Sequence, residues 1–342
     1  MQFICFGLGA VGTYIGGSLI KAGYKGVFIE RPVVAEKVLQ SGLRLHLSDG
    51  LHLIPQVEVV SSIDEALQQG DFDIAILAVK SYDTEAVAQA ISPYRHVFPP
   101  VFCLQNGVEN EGVLKKVLGE EKVIPGTLTS AIGRGVEGEI FLERLRGVGL
   151  ISAHPLASVL YKALQTSGLK PCYCHSADGM KWTKMMTNLT ANATSAILSM
   201  TPAEIFDHPG LYWLEIEQLR ECLRVMRRQK IPVVNLPGVP SVLLGIVVRY
   251  FPIALSRVFL RKAVGKGRGA KMPSFHIDLY SGKGKSEVDY LNGAVVRFGK
   301  QCGVKTPVNA MLTRVLLAMT TGEISSSTYA RKPEKLLALL DQ

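Results

Sequence analysis

Gln2-Phe-Ile-Cys-Phe-Gly7-Leu-Gly9-Ala-Val-Gly12, followed by Thr13 to Ala22 and Gly23, decides the fold of the N-terminal half. The run Gln2–Phe6 is almost wholly apolar and reads as a buried strand. Residues 13–22 carry a helical pattern that Gly23 ends. Between them lies G-x-G-x-x-G in the context that gives it meaning, a strand before and a helix after. The glycines at 7, 9 and 12 tighten the turn, open the backbone to a pyrophosphate and let helix pack on strand. The helix N-terminus then faces the phosphates. This context favours a dinucleotide site over a glycine-rich turn without a ligand.

The following segments extend a doubly wound α/β sheet. Val27-Phe-Ile29 is a second strand ending at Glu30-Arg31. An acidic residue here suits the ribose hydroxyls of NAD, an arginine the 2′-phosphate of NADP, so spacing leaves the cofactor open. Leu43–Leu47 and Leu51–Ile54 alternate around Asp49-Gly50 and predict a hairpin outside the parallel sheet. Ile74–Val79 predicts a buried strand delivering Lys80 to the ligand side, or merely marking the strand's exit from the core. Val101–Gln105 does the same for Asn106, although Asn106-Gly107 is also a common tight-turn pair. Residues 123–153, with Gly126, Gly133, Gly135 and Gly138, are expected to close this sheet.

From Ala177 the pattern turns helical, which divides the chain into a dinucleotide-binding domain, 1–176, and a helical domain, 177–342. The helical half opens with Trp182-Thr-Lys-Met-Met-Thr-Asn-Leu-Thr-Ala-Asn192. Read as one continuous helix, it places Lys184, Asn188 and Asn192 on a single face. Most of its other residues are apolar or small, so a Lys/Asn/Asn stripe within a buried helix needs polar partners. An anionic, oxygen-rich ligand would supply them. Further helices are expected from about Pro209 to Gln229, after Ser286, and from Thr306-Pro307 to about Gly322. Ser286 and Asp289 have the spacing of a capping box, which puts Glu287 in a first turn where the helix dipole already favours an anion.

Composition narrows the class. The 342 residues are 47% hydrophobic, enough for two cores. No leader-like N-terminal pattern and no uninterrupted membrane-length apolar run is present. The six scattered cysteines, two of them in strand-like runs, suit a reducing cytoplasm. Cys172-Tyr-Cys174-His175 lacks a second ligand pair, so no metal site is expected. The net charge is +9, with eight Lys or Arg against one Asp between Arg257 and Lys285. Without interleaved aromatics this patch disfavours nucleic acid and reads first as a solvated basic loop, with a membrane surface as a lesser alternative that it does not exclude.

Taken together, these motifs resemble the ketopantoate reductase (2-dehydropantoate 2-reductase) family over nearly the whole chain. The likeness is carried by Gly7–Gly12, Arg31, Ala78-Val-Lys80, Gln105-Asn-Gly107, Lys184-x3-Asn188-x3-Asn192, and Ser274 through Glu287 to Thr306-Pro307. It implies a Rossmann-like domain followed by an all-α domain like the C-terminal one of 6-phosphogluconate dehydrogenases. It also implies NADPH-dependent reduction of a 2-oxo acid, with ketopantoate going to pantoate in pantothenate biosynthesis. In this scheme Lys184 is the general acid, and Asn106, Asn188, Asn192, Ser274 and Glu287 contact substrate. The cofactor side comprises Gly7, Leu8, Gly9, Ala10, Val11, Gly12, Arg31, Lys80, Asn106, Ala131 and Glu287. A homodimer is left open. Residues 230–272 look longer than the family's usual connection, and Ser199-Met-Thr-Pro202 stands where the family often has another substrate-binding Asn. Both departures fall on the substrate side and leave open another 2-oxo acid or an opine-like substrate. A non-catalytic dinucleotide sensor using the basic patch is the reading from a different class.

Overall fold

The computed structural model describes residues 1–267, 271–282 and 284–340, with side chains of 262–267 left aside. It divides into two compact units, Met1–Lys181 with Leu236–Val239, and Trp182–Asn235 with Pro240–Gln342. The division falls inside one helix, Ala177–Leu189.

The first unit is built from strands β1 (Gln2–Phe6), β2 (Lys25–Ile29), β3 (Leu43–Leu47), β4 (Gly50–Ile54), β5 (Glu58–Val60) and β6 (Ile74–Leu77), then β7 (Val101–Cys103), β8 (Val123–Leu128), β9 (Ala131–Arg134), β10 (Glu139–Arg144), β11 (Val148–Ile151) and β12 (Pro171–Cys174). Its helices are α1 (Ala10–Lys21), α2 (Pro32–Ser41), α3 (Ile63–Leu67), α4 (Thr84–Ile91), α5 (Asn110–Leu118) and α6 (Ala157–Thr166). The main sheet has the order β12-β11-β8-β7-β6-β1-β2-β5, parallel from β8 to β5. The chain runs outward from β1 on one side and restarts at β6 on the other, which makes the β1/β6 junction the topological switch point where such sheets bind ligands. Alternate residues of β1 serve opposite faces: Phe3 and Cys5 join one buried cluster, Ile4 and Phe6 the other. A strand covered on both sides has to be apolar throughout, as this one is.

Register then fixes one edge. Phe6 pairs with Ile29 and Leu77, and Leu77 with Cys103. The residues that follow, Gly7, Glu30, Ala78 and Leu104, therefore emerge side by side at the carboxyl ends of four parallel strands.

One expectation is corrected. Only β8 and β11 of residues 123–153 join the main sheet; β9 and β10 pair with the β3–β4 hairpin in a separate four-stranded sheet, β4-β3-β10-β9. The expected hairpin around Asp49-Gly50 is formed by β3 and β4 outside the main sheet; β3, with Leu43 and Leu45 buried, lies between β4 and β10, and the edge strand β4 leaves Leu51 and Leu53 exposed.

The second unit is helical: α7 (Ala177–Leu189), α8 (Asn192–Leu198), α9 (Pro202–Asp207), α10 (Pro209–Arg228), α11 (Ser241–Tyr250), α12 (Ile253–Gly267), α13 (Ser274–Tyr280), α14 (Val288–Cys302), α15 (Pro307–Thr320) and α16 (Pro333–Leu337). Helix α10 is its axis, contacting α9, α11, α14, α15 and α16. It starts where the Asp207-His-Pro sequence predicts, with His208 Nδ1 accepting the Leu211 N–H at 3.3 Å. None of the described helices is long and apolar enough to cross a membrane.

The tightest approach in the first unit is between Gly12 and the glycine turn. A Cβ at Gly12 would stand 1.9 Å from the Gly7 carbonyl oxygen, a backbone atom that no rotamer change can move. Gly12→Ala is therefore expected to destabilise the protein by about 1–3 kcal/mol or more. Thermal melting checks this, and an unchanged midpoint would show that α1 can slide away from the turn.

Candidate functional site

At the carboxyl edge of the first unit, Gly7 turns the chain with φ +92°, a value that favours glycine, and its N–H donates to the Ile29 carbonyl at 3.0 Å. Helix α1 starts at Ala10 with no side-chain cap and no acid in its first turn, so the amide-rich end is left to an external anion. A Cβ at Gly9 would meet nothing within 4 Å, so the turn opens outward there while Gly12 closes it inward. That cradle fits a dinucleotide pyrophosphate. Ala10 and Val11 provide the first-turn amides, and Leu8 is buried beneath them.

Glu30 and Arg31 are both present at the edge, in different settings. The Glu30 carboxylate accepts the Leu8 N–H at 2.8 Å and the Arg31 N–H at 2.9 Å. Arg31 Nε lies 3.4 Å from it, with 78% of the arginine side chain exposed. Glu30 thus buttresses the glycine turn, and Arg31 is the outward-facing cation.

Lys80 and Asn106 are brought together by a polar network that the sequence reading missed. Gln105, which is buried, donates to the carbonyls of Val79 at 3.1 Å and Lys80 at 3.3 Å and to Thr84 Oγ1 at 2.9 Å. Ser81 Oγ and Asn110 Nδ2 both donate to the Asn106 carbonyl, at 2.7 and 2.6 Å, and Thr84 Oγ1 donates to Asn110 Oδ1 at 2.8 Å. The ends of β6 and β7 are thereby locked to one another. The signal was polar residues shortly after two apolar strands, Ser81 and Thr84 after β6 and Gln105 and Asn110 after β7, all four of which prove to be buried. Ala131 opens β9, just beyond the carboxyl end of β8, and is half-buried.

A second missed residue is Lys181. Its ammonium, 5% exposed, donates to the carbonyls of Gln105 at 2.6 Å and Gly126 at 3.3 Å and pairs with Glu111 at 2.7 Å. Burial works against its charge, but the attraction of Glu111, aided by Cys103, outweighs that and raises its pKa. The Ala177–Leu189 helix thus carries a buried, paired ammonium at Lys181, three residues before the half-buried Lys184.

In the second unit the single-helix reading is corrected. Lys184 and Asn188 share a face of α7, but α7 ends at Leu189, Ala191 adopts φ +51°, and Asn192 begins α8. The break is held by Glu215, which has no exposed surface. Its carboxylate accepts the Ala191 N–H at 2.6 Å, the Thr194 hydroxyl, and Gln218 Nε2 at 2.7 Å. Gln218 Nε2 also reaches the Leu189 carbonyl at 3.4 Å. A left-handed alanine costs backbone energy, and these bonds offset it.

The redirected Asn192 meets Ser274. Asn192 Nδ2 donates to Ser274 Oγ at 3.3 Å, and Asn192 Oδ1 accepts the Phe275 N–H at 3.0 Å, capping the start of α13. Asn192 is buried while Ser274 is exposed. Glu287 is the N-cap residue of α14 and is 2% exposed. The capping box is not formed: Ser286 Oγ accepts the Val288 N–H at 3.2 Å, but Asp289 turns away to Arg297 at 2.9 Å. Ser199, also left-handed at φ +49°, lies 3.4 Å from His276 Nε2 on α13. Arg268 and Lys283 of the basic segment lie outside the described residues, as do the side chains of Lys262 and Lys266. Among the described residues, no cluster of three His, Cys, Asp or Glu could hold a metal ion.

Comparison with known proteins gives a consistent match. The family model described as ketopantoate reductase PanE/ApbA matches residues 3–153, and its C-terminal counterpart matches residues 176–320. The 2-dehydropantoate 2-reductase of Archaeoglobus fulgidus is 27% identical over 321 residues, 92% of this chain and 97% of that one. That of Pyrococcus horikoshii is 25% identical over 93% of this chain and 97% of its own. The crystal structure of a PanE/ApbA family ketopantoate reductase from Ralstonia eutropha superposes with TM-score 0.79 at 25% identity, covering 94% of this chain and 99% of that one. D-mandelate dehydrogenase, solved with NADH and anilino(oxo)acetate, shares the fold at TM-score 0.78 and 21% identity, over 94% and 99% of the two chains.

Glu215→Ala would leave three buried donors without their acceptor. The expected loss is about 3 kcal/mol or more, since each of the three buried groups left unsatisfied costs about 1–3 kcal/mol. Chemical denaturation reads it, and a loss below about 0.5 kcal/mol, the range of ordinary surface substitutions, would mean the break at Ala191 holds without the carboxylate.

Proposed function

The chain belongs to the ketopantoate reductase family, and on that footing we propose that it reduces 2-dehydropantoate to pantoate with NADPH. The observation that carries this reading is the Asn192–Ser274 hydrogen bond of 3.3 Å. Two residues that the family likeness assigns to substrate, 82 positions apart, share one polar contact. The glycine turn with its uncapped helix supports a dinucleotide. The exposed Arg31 guanidinium favours the 2′-phosphate form of it, with Lys80 as a second cation.

When bound, the nicotinamide supplies a hydride to the C2 carbonyl carbon of the 2-oxo acid. In this proposal the chain's own contribution is electrostatic and acidic. Lys184 faces the carbonyl oxygen, neutralises the charge that develops there and donates the proton that completes the hydroxyl. Asn188, Asn192 and Ser274 orient the carboxylate and hydroxyl oxygens. Asn106 contacts substrate and nicotinamide ribose, and Glu287 bonds the substrate hydroxyl or the cofactor. Ala131 lines the cofactor side with Gly7 to Gly12. Six unpaired cysteines fit a reducing compartment and support a cytoplasmic location.

A second reading keeps the chemistry and changes the acid. Ser199 and His276 stand near Asn192 and Ser274 in the neighbourhood where the family often has another Asn, which favours a substrate with a different side chain.

NADPH oxidation measured with ketopantoate and with shorter and bulkier 2-oxo acids separates the two. Ketopantoate is expected to give the highest kcat/KM, and a clear preference for another acid would move the assignment to it. Lys184→Ala is expected to lower turnover about 10²–10⁴-fold with NADPH binding retained. Lys184→Arg should not restore it, because guanidinium holds its proton. Arg31→Ala should raise the KM for NADPH and leave that for NADH little changed. An equal effect on both cofactors would remove Arg31 from the 2′-phosphate.

A further inference from the structure

On the second unit, α10 and α11 enclose two adjoining cavities lined by none of the residues assigned above to reduction. The larger, about 400 Å³, has an aliphatic floor that includes Leu223, Met226, Ile231, Val233 and Val242, with Arg227, Lys230 and Arg249 around it. The smaller, about 140 Å³, is lined by Arg220, Leu223, Arg224, Arg227 and Arg249. Arg220, Arg224 and Arg227 recur at helical spacing on α10, so one face of the helix delivers them together. No carboxylate is among the described residues lining either cavity. Glu217, one turn away, pairs with Arg220 at 2.8 Å and Arg224 at 3.7 Å, and the buried Glu221 also acts on Arg224, so the five cations lining the cavities outnumber the carboxylates near them. Arg220 also donates to the carbonyls of Val248 at 2.9 Å and Phe251 at 3.2 Å, which fixes α11 against α10. Such a concentration of like charge attracts anions, and the guanidinium fork matches phosphate oxygens.

The groove is bordered by an exposed apolar face. Leu243, Ile246 and Tyr250 lie along the outer side of α11, Tyr250 with the Arg249 guanidinium 5.0 Å from its ring. Phe251 follows, and Leu255, Val258 and Phe259 continue the face on α12, where Val258 is 70% and Phe259 60% exposed. Arg257 and Arg261 tie α12 to the end of α9 through Asp207. A contiguous apolar surface of this kind marks an interaction site. Aromatic and aliphatic residues on a helix face bordered by arginines have the composition of helices that lie in a bilayer interface.

We propose that the α10–α11 groove and the α11–α12 apolar face form a docking site for an anionic phospholipid membrane surface. Lipid phosphate sits among Arg224, Arg227 and Arg249, and Ile246, Tyr250, Leu255, Val258 and Phe259 enter the acyl boundary. Charge complementarity selects this occupant. A second copy of the chain paired through the same face by twofold symmetry would bring the two arginine clusters toward each other. A free phosphate ion would use the arginines and leave the apolar face uncovered.

Flotation of the full chain with vesicles tests it, comparing phosphatidylglycerol-containing vesicles with pure phosphatidylcholine. Binding is expected only to the anionic vesicles and should weaken as salt is raised. At roughly fivefold per basic residue near an anionic surface, Arg227→Ala with Arg249→Ala should weaken it about 30-fold. Val258→Asp should abolish it while NADPH oxidation and thermal melting stay unchanged. If the double variant fails to fold, the salt dependence of the unmodified chain reads the same charge contribution. Equal affinity for both vesicle types, or no flotation, overturns the proposal. So does complete competition by inorganic phosphate, which identifies a soluble-anion site. A dimer that Val258→Asp disperses, with no vesicle binding, overturns it in favour of an interface between copies.

Discussion

A fully buried carboxylate, Glu215, governs the shape of the helical unit. By accepting the amide of a left-handed alanine it ends one helix and starts another after two intervening residues. Without that break Asn192 would continue the α7 stripe. With it, Asn192 turns to cap α13 and bond Ser274. The same carboxylate is joined through Gln218 to Asn292 and Asn309, and Asn309 to Glu221, which accepts the Val308 and Asn309 amides at the start of α15. Burial raises the pKa of Glu221, while these hydrogen bonds pull the other way. One polar thread thus runs along α10 and sets the end of α7 and the starts of α8 and α15.

The sheet unit follows the same rule by different means. Backbone register sets Gly7, Glu30, Ala78 and Leu104 in a row. Buried side chains then hold the loops beyond them: Gln105, Ser81, Thr84 and Asn110 for the ends of β6 and β7, and Lys181 with Glu111 for β7, β8 and the first turns of α7. Groups that meet a ligand must leave part of their bonding capacity open, so their positions are fixed by neighbours whose capacity is filled. This explains why the residues around Lys80 and Asn106 are polar yet buried.

The face formed by α11 and α12 departs from this economy of satisfied groups. It leaves apolar side chains in water beside a surplus of arginines, a combination that neither the core of the unit nor the proposed reduction requires. Its exposed apolar residues lie between Leu243 and Phe259, while Val247, Val248 and Leu260 of the same helices are buried.

What could be read without coordinates was what depends on neighbours in sequence. The strand–glycine turn–helix, the alternating core residues of β1, the Asp49-Gly50 hairpin and the starts of α10 and α15 rest on local periodicity and turn chemistry. Position at a parallel strand's end was enough to bring Lys80 and Asn106 to the same edge as the glycine turn. The break at Ala191, the pairing of Asn192 with Ser274, the burial of Lys181 and the removal of β9 and β10 to a second sheet were not legible. Each depends on a partner far along the chain, Glu215, Ser274, Glu111 or β3, whose hydrogen bonds override the local preference. The spacing of Lys184, Asn188 and Asn192 is a property of the sequence; which way Asn192 faces is decided by a carboxylate 24 positions beyond Ala191.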